Sequence, residues 1–183
     1  RRPTPAALFK PAILATLAVV ASVVGSSDCC AAEEPGAAAG TAEQLFELSG
    51  IEGGLVVHVG CGDGRLTAAL LRNDAYLVHG LDRDPAKVEK ARSAAQATGR
   101  YGQISVDRLT GERLPYAENL VNLLVCEEAD AVAKEEMLRV LAPEGVACVK
   151  RDGQWTRLVK PRPADIDEWT HYLHSADNNA VAE

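Results

Sequence analysis

The sequence predicts a doubly wound α/β domain whose sheet is mostly parallel and carries one antiparallel edge strand. Three observations carry that expectation. Short apolar runs alternate with helical segments from Thr41 to about residue 160. The runs are apolar nearly throughout, as strands covered on both faces must be, with little of the in/out alternation of a half-exposed sheet. A turn signal at Arg151-Asp-Gly-Gln154 then returns the chain on itself, which adds a hairpin strand at one edge.

The elements follow in order. Residues 33–40 (EEPGAAAG) read as a flexible lead-in of small residues. Thr41-Ala-Glu-Gln44 has the form of a capping box, in which the two side chains satisfy free backbone N–H groups reciprocally. A helix follows to Ser49 and is closed by Gly50. Gly54–Val59 is a first strand bounded by glycines, and Gly60-Cys-Gly-Asp-Gly64 is the loop between it and a helix over 65–71. Tyr76–Leu81 is a second strand ending at Asp82. Asp84-Pro85 opens a helix to about Ala97, with an N-cap acid and proline in the first turn. Gln103–Val106 and Leu120–Val125 are the third and fourth strands. A helix then runs to about Leu141. Glu127 and Glu128 follow the fourth strand at the crevice edge, better placed than the strand histidines to serve as a base, and solvated charges opening the helix are the simpler account of them. Val146–Val149 and Trp155–Val159 complete the sheet.

Charge is unevenly placed along the 183 residues, whose formal net charge is −7. Arg1, Arg2 and Lys10 precede an uncharged apolar stretch from Pro11 to Ser27, the layout of a secretory signal peptide. Cys30-Ala-Ala32 supplies small residues for cleavage before Glu33, so the expected location is periplasmic or secreted. A retained anchor is the competing reading, since 17 uncharged residues are at the short edge of a bilayer span. Leaving out residues 1–32, with Arg1, Arg2, Lys10 and Asp28, takes the remaining body from −7 to −9. An acidic body with only 4% aromatic residues excludes a nucleic-acid partner, which requires cations and stacking rings. Once the signal is removed, no membrane partner is expected. Cys61, Cys126 and Cys148 make no C-x-x-C pair and read as small buried hydrophobes.

The glycine loop carries the chemistry. Glycines between a strand and a helix permit left-handed backbone and close ligand approach, and the crevice of a doubly wound sheet opens there. Asp82 stands at the end of the second strand, twenty-two residues after Gly60, where a carboxylate can accept both hydroxyls of a ribose. Together they indicate a nucleoside-containing ligand. A dinucleotide fingerprint needs glycine at position 65, and Arg65 stands there. This disfavours a nicotinamide-dependent oxidoreductase.

Val56-Val-His-Val-Gly-Cys-Gly-Asp-Gly64 resembles motif I of class I S-adenosylmethionine-dependent methyltransferases. Gly80-Leu-Asp82, Leu114-Pro-Tyr-Ala-Glu-Asn119 and Glu136-Met-Leu-Arg-Val-Leu-Ala-Pro-Glu-Gly145 resemble later motifs of that family, in the family's order. The resemblance implies a Rossmann-like methyltransferase fold and S-adenosylmethionine as the small-molecule cofactor. It places Gly60, Cys61 and Gly62 against the methionine portion, with Gly64 completing the loop. It puts Asp82 on the ribose and Arg83 beside the adenine. The family's adenine-binding acid corresponds to Thr110, with Asp107 and Glu112 as substitutes, while Asn122 replaces its strand-four acid and Glu144 a glycine.

No catalytic base is assigned. His58 and His79 lie within strands and read as packed or hydrogen-bonded core histidines. In the tail, His171, His174 and Asp177 share metal-binding residue types, whereas Ile166, Trp169 and Leu173 form a packing stripe; packing is the simpler reading, and no metal is assigned. Residues 161–183 resemble the junction at which a methyltransferase-like region precedes a PQQ-like β-propeller, which implies a covalently linked propeller. The competing functional reading is an exported, non-catalytic binding or adaptor module that keeps the fold.

Overall fold

The computed structural model describes residues 35–163. The expected signal peptide and its cleavage site, the histidine cluster and the propeller junction lie outside the described residues. Ten elements follow one another: α1 (Pro35–Ser49), β1 (Gly54–Val59), α2 (Arg65–Ala69), β2 (Tyr76–Asp82), α3 (Pro85–Ala97), β3 (Ile104–Arg108), β4 (Val121–Cys126), α4 (Lys134–Val140), β5 (Leu141–Arg151) and β6 (Gln154–Val159). They build a six-stranded sheet in the order β3-β2-β1-β4-β5-β6. Every neighbouring pair is parallel except β5–β6, which is antiparallel. The doubly wound sheet with its antiparallel edge is therefore as expected. Strand order reverses between β1 and β4, and a ligand crevice opens beyond their carboxyl ends at such a switch point.

Successive strand residues feed opposite layers, because side chains alternate across a sheet. Val56, Val78, Leu123, Val125, Val146 and Cys148 form one core with α1, α2 and α3. Val57, Val59, Leu81, Leu124, Cys126 and Ala147 form the other with α4 and the loops flanking it. All three cysteines are buried free thiols. Burial pushes the Cys61 and Cys126 thiols up to about 12 and that of Cys148 to about 11. They stay protonated and unreactive near neutral pH.

Several expectations need correction. Residues 35–40 are not a lead-in but the first turns of α1. Ala38 and Ala42 are 2% and 3% exposed and continue the buried stripe of Leu45, Phe46 and Ser49. Alanine's high helix propensity and the docking of that stripe outweigh the cost of Gly36 and Gly40. Thr41 consequently lies inside the helix, where no capping box can form. The helix after β4 starts at Lys134, not near Glu127, so Glu127 and Glu128 do not open a helix and instead belong to a loop over the top of the sheet.

The β5 strand starts at Leu141, directly after α4, and its pairing with β4 slips between Val121 and Leu123. The Pro143-Glu-Gly145 segment takes up the slip. Glu144 sits there in the left-handed region at φ 64°, and its N–H donates to the Lys160 carbonyl at 2.9 Å.

Leu114–Asn119 is stapled to α4. The Leu114 N–H donates to Glu136 Oε1 at 2.7 Å, and Arg139 donates to the carbonyls of Tyr116 and Leu114 and to both Glu136 oxygens. The two stretches quoted as separate motifs thus form one structural unit.

Candidate active site

The glycine loop is shaped before any ligand arrives. Gly60, Gly62 and Gly64 all adopt positive φ, at 81°, 54° and 82°. At Gly64 a side chain is also barred by contact: a Cβ there would lie 2.6 Å from Ala91 Cα of α3. Gly64 therefore seats the loop and the start of α2 on α3, while Gly60 and Gly62 line the crevice. Cys61 turns its side chain inward into the core, toward Gly80 of β2; only its backbone belongs to the loop surface.

Asp82 ends β2 next to this loop and is 6% exposed. Its Oδ2 accepts from the Gly62 N–H at 3.1 Å, and Oδ1 accepts from the Asp84 N–H at 2.9 Å. The carboxylate thereby ties the loop to the turn into α3. Each oxygen keeps a further lone pair for a ligand hydroxyl. Asp84 caps α3 by accepting from the Ala86 N–H at 2.8 Å.

Glu127 forms the opposite wall. It follows β4, as Asp82 ends β2, so two carboxylates flank the carboxyl end of β1. Behind Glu127 lies His58, which is fully buried in β1. His58 Nδ1 is 2.8 Å from Thr67 Oγ1 of α2. Its Nε2 lies 3.3 Å from Glu127 Oε1, yet out of line for a hydrogen bond, so this buried nitrogen has no hydrogen-bond partner. The Nδ1–Thr67 contact orients the ring, with Nε2 turned to the Glu127 side. Burial pushes the Glu127 carboxyl up, but His58, with smaller contributions from Lys150 and Lys87, prevails and holds it below its ordinary range. Glu127 is thus an anion at neutral pH, turned toward the glycine loop.

The crevice has a volume of about 420 Å³. A second cavity of about 610 Å³ adjoins it through the shared residues Arg83 and Ala131. Of the residues expected at the site, Gly60, Gly62, Asp82 and Arg83 come together at the crevice. Thr110 is exposed and lines neither cavity. Asp107 is engaged elsewhere, pairing with Arg92 at 3.0 Å and His79 at 3.2 Å, and so does not substitute at the crevice. Glu112 lines the second cavity. Asn122 is at the amino end of β4, where its Oδ1 accepts from the Leu55 N–H at 2.9 Å; it holds β1 to β4, well away from the crevice.

His58 is a hydrogen-bonded core histidine as expected. His79 bonds the Tyr116 hydroxyl at 2.6 Å as well as Asp107. Glu127 and Glu128 line the crevice, at whose edge the sequence placed them, and it is their helix-opening role that the structure overturns. The cue for Glu127 was its place directly after a buried strand, the same cue that marks Asp82.

Residues 56–145 match the family model described as a methyltransferase domain. Over 111 residues the chain is 32% identical to the methyltransferase GfsG of Streptomyces halstedii, covering 56% of this chain and 40% of that protein. The chain thus spans less than half the length of that curated relative. The fold is similar to that of the [4+2]-cyclase SpnF, with a TM-score of 0.56 and 24% identity over 64% of this chain and 47% of that one. It is also similar to geranyl diphosphate C-methyltransferase from Streptomyces coelicolor A3(2), solved with Mg2+, geranyl diphosphate and S-adenosyl-L-homocysteine. There the TM-score is 0.55 and the identity 18%, over 62% of this chain and 45% of that one. Motif order, sheet topology and the sequence match agree: residues 56–145 of this chain are similar in sequence to a methyltransferase domain, and the sheet has the fold of class I S-adenosylmethionine-dependent methyltransferases.

Proposed function

We propose that the crevice binds S-adenosylmethionine and that the domain transfers its methyl group to a small-molecule acceptor. The observation that carries this reading is the pair of carboxylates, Asp82 and Glu127, on either side of the glycine loop. When bound, the cofactor supplies an electrophilic methyl group on a positively charged sulfur. Asp82 accepts the ribose hydroxyls, and the loop lets the amino-acid portion approach the backbone closely. Glu127, anchored from behind by His58, attracts the ammonium group and the sulfonium charge. Transfer to an in-line nucleophile then depends mainly on positioning.

The same carboxylates disfavour a dinucleotide, whose pyrophosphate would meet Asp82, Asp84, Glu127 and Glu128 against only Arg83 and Lys87. A relative solved with S-adenosyl-L-homocysteine supports the cofactor. SpnF, whose name describes a cyclase, shows that the fold alone does not specify methyl transfer.

Calorimetric titration of the full chain tests the assignment. S-adenosylmethionine and S-adenosylhomocysteine should bind and NAD should not, with Asp82→Ala abolishing binding. Glu127→Gln should weaken S-adenosylmethionine by about tenfold and leave 5′-methylthioadenosine, which lacks the amino-acid portion, unchanged. Binding of NAD, or indifference to Asp82→Ala, would overturn the reading. The layout of residues 1–32 supports an exported protein; N-terminal sequencing of protein from the periplasm or medium, expected to begin at Glu33, tests that address.

A further inference from the structure

The larger cavity beside the crevice has a different chemistry from the crevice itself. Its floor is apolar: Val132, Met137, Val149 and Leu158, drawn from the loop after β4, α4, β5 and β6. The first three are buried members of the core on that side of the sheet. The opening lies beside the seven-residue α4, between its first turns and the β5–β6 edge.

Around that floor stand Arg83, Lys134 and Arg151. None of their side chains makes an ion pair or hydrogen bond among the described residues, whereas Arg72, Arg92, Arg100 and Arg139 are all tied to carboxylates. Glu112 and Asp130 also line the cavity, so three cations face two carboxylates. In the crevice the balance is reversed, with four carboxylates facing two cations. Two adjoining sites of opposite polarity share one wall at Arg83 and Ala131, in a protein whose net charge is −7.

We propose that this cavity is a second ligand site beside the crevice and that it takes a small molecule with an apolar body and one anionic group, a carboxylate or a phosphate. Its joint occupation with the crevice rests on the methyltransferase reading of the crevice. The apolar body lies on Met137, Val149 and Leu158, and the anion is held by Arg151 and Lys134, with Arg83 at the junction with the crevice. Its volume of about 610 Å³ is in the range of sites that enclose small organic ligands. A cationic ligand on one side of Arg83 and an anionic one on the other attract each other across the shared wall. The device therefore favours simultaneous occupation.

Four octyl compounds that share one tail test the proposal: octanoate, octyl phosphate, 1-octanol and octylammonium. Each is titrated calorimetrically into the full chain, with and without S-adenosylhomocysteine. Octanoate or octyl phosphate should bind at least tenfold more tightly than octanol and octylammonium, and the tighter of the two identifies the anion class. Lys134→Gln combined with Arg151→Gln should remove that advantage while S-adenosylmethionine binding is unchanged. Leu158→Trp, on the half-buried edge strand, should fill the floor and weaken all tails that bind.

Equal or tighter binding of octylammonium overturns the proposal. So does anion binding that survives the double substitution, or failure of every tail to bind. If the tails bind as described but S-adenosylmethionine does not, the crevice assignment fails and the cavity stands as an anion site. If S-adenosylmethionine binds and the tails do not discriminate, only the anion-site inference fails.

Discussion

The two faces of the sheet are built to different thicknesses. Beneath α1, α2 and α3, helix and strand close on each other: Leu45 of α1, Leu70 at the end of α2, and Val56, Val78 and Leu123 of the strands are completely buried. On the other face α4 is the only helix among the described residues, and two loops complete the cover. Leu77, on the strand next to β1, is 48% exposed there, and the 610 Å³ cavity opens beside α4. The first face supplies the cooperative core, because burial there removes apolar area from water with little void. The second is as dry at its centre, where Val57, Leu124 and Val140 are completely buried, but it opens beside α4 and leaves room for a ligand. Stability and binding are thus divided between the layers, and the glycine loop lies where they meet.

A matched pair of truncations tests the division most strongly. Leu45→Ala, in the sealed layer, should cost about 2–5 kcal/mol because the void left behind cannot collapse. Met137→Ala, beside an existing cavity, should cost only about 1–2 kcal/mol, since less closed packing is lost there. Urea unfolding of both variants decides the matter. Equal losses would mean that the two layers are equally well packed.

The staple on the thin face responds to acid. Hydrogen bonds from Arg139 outweigh burial and, with the Leu114 amide helping, hold the Glu136 carboxyl below its ordinary value near 4.5. A carboxylate with a lowered folded pKa stabilises in full above its unfolded value and loses that contribution as pH falls through the folded one. Glu136→Gln should therefore lower the melting temperature by several degrees near neutral pH and by progressively less below about pH 4. Thermal melts at a series of pH values check this. A constant deficit would show that packing, not charge, holds Leu114–Asn119 in place.

The smallest effect is expected at the slipped register of β5. Glu144→Gly relieves a left-handed non-glycine residue, offset in part by the greater freedom of glycine in the unfolded chain. It should stabilise the protein by about 0.5–1 kcal/mol, measured as a higher urea midpoint at unchanged slope. Destabilisation would mean that the Glu144 side chain contributes more than its backbone strain removes.

The α/β alternation was legible because buried parallel strands require continuous apolar runs, and Val56–Val59 and Val121–Val125 are such runs. Asp84-Pro85 announced α3 through cap chemistry that is local by nature. Other features gave weaker or misleading signals. The Gly-Ala stretch before Thr41 looks like a linker until the buried stripe of Ala38, Ala42 and Leu45 is seen against the sheet. Glu127 and Glu128 look like helix-opening charges until the helix is found to start at Lys134. Asp107 looked near enough to the site by chain distance, but β3 presents it to His79 and Arg92.

The sequence by itself determined the strand–loop–helix unit, the glycines and Asp82, and hence a nucleoside-binding crevice at the strand ends. These rest on interactions among residues close in the chain and on the two-residue period of a strand. Only the tertiary structure decided that His58 backs Glu127, that Asn122 and Gly64 serve packing, and that three unpaired cations gather over an apolar floor. Those arrangements join β1 to α2, β4 to the crevice and β6 to the loop after β2. The pairings between distant segments are set by how the two layers close on the sheet, and no local pattern encodes them.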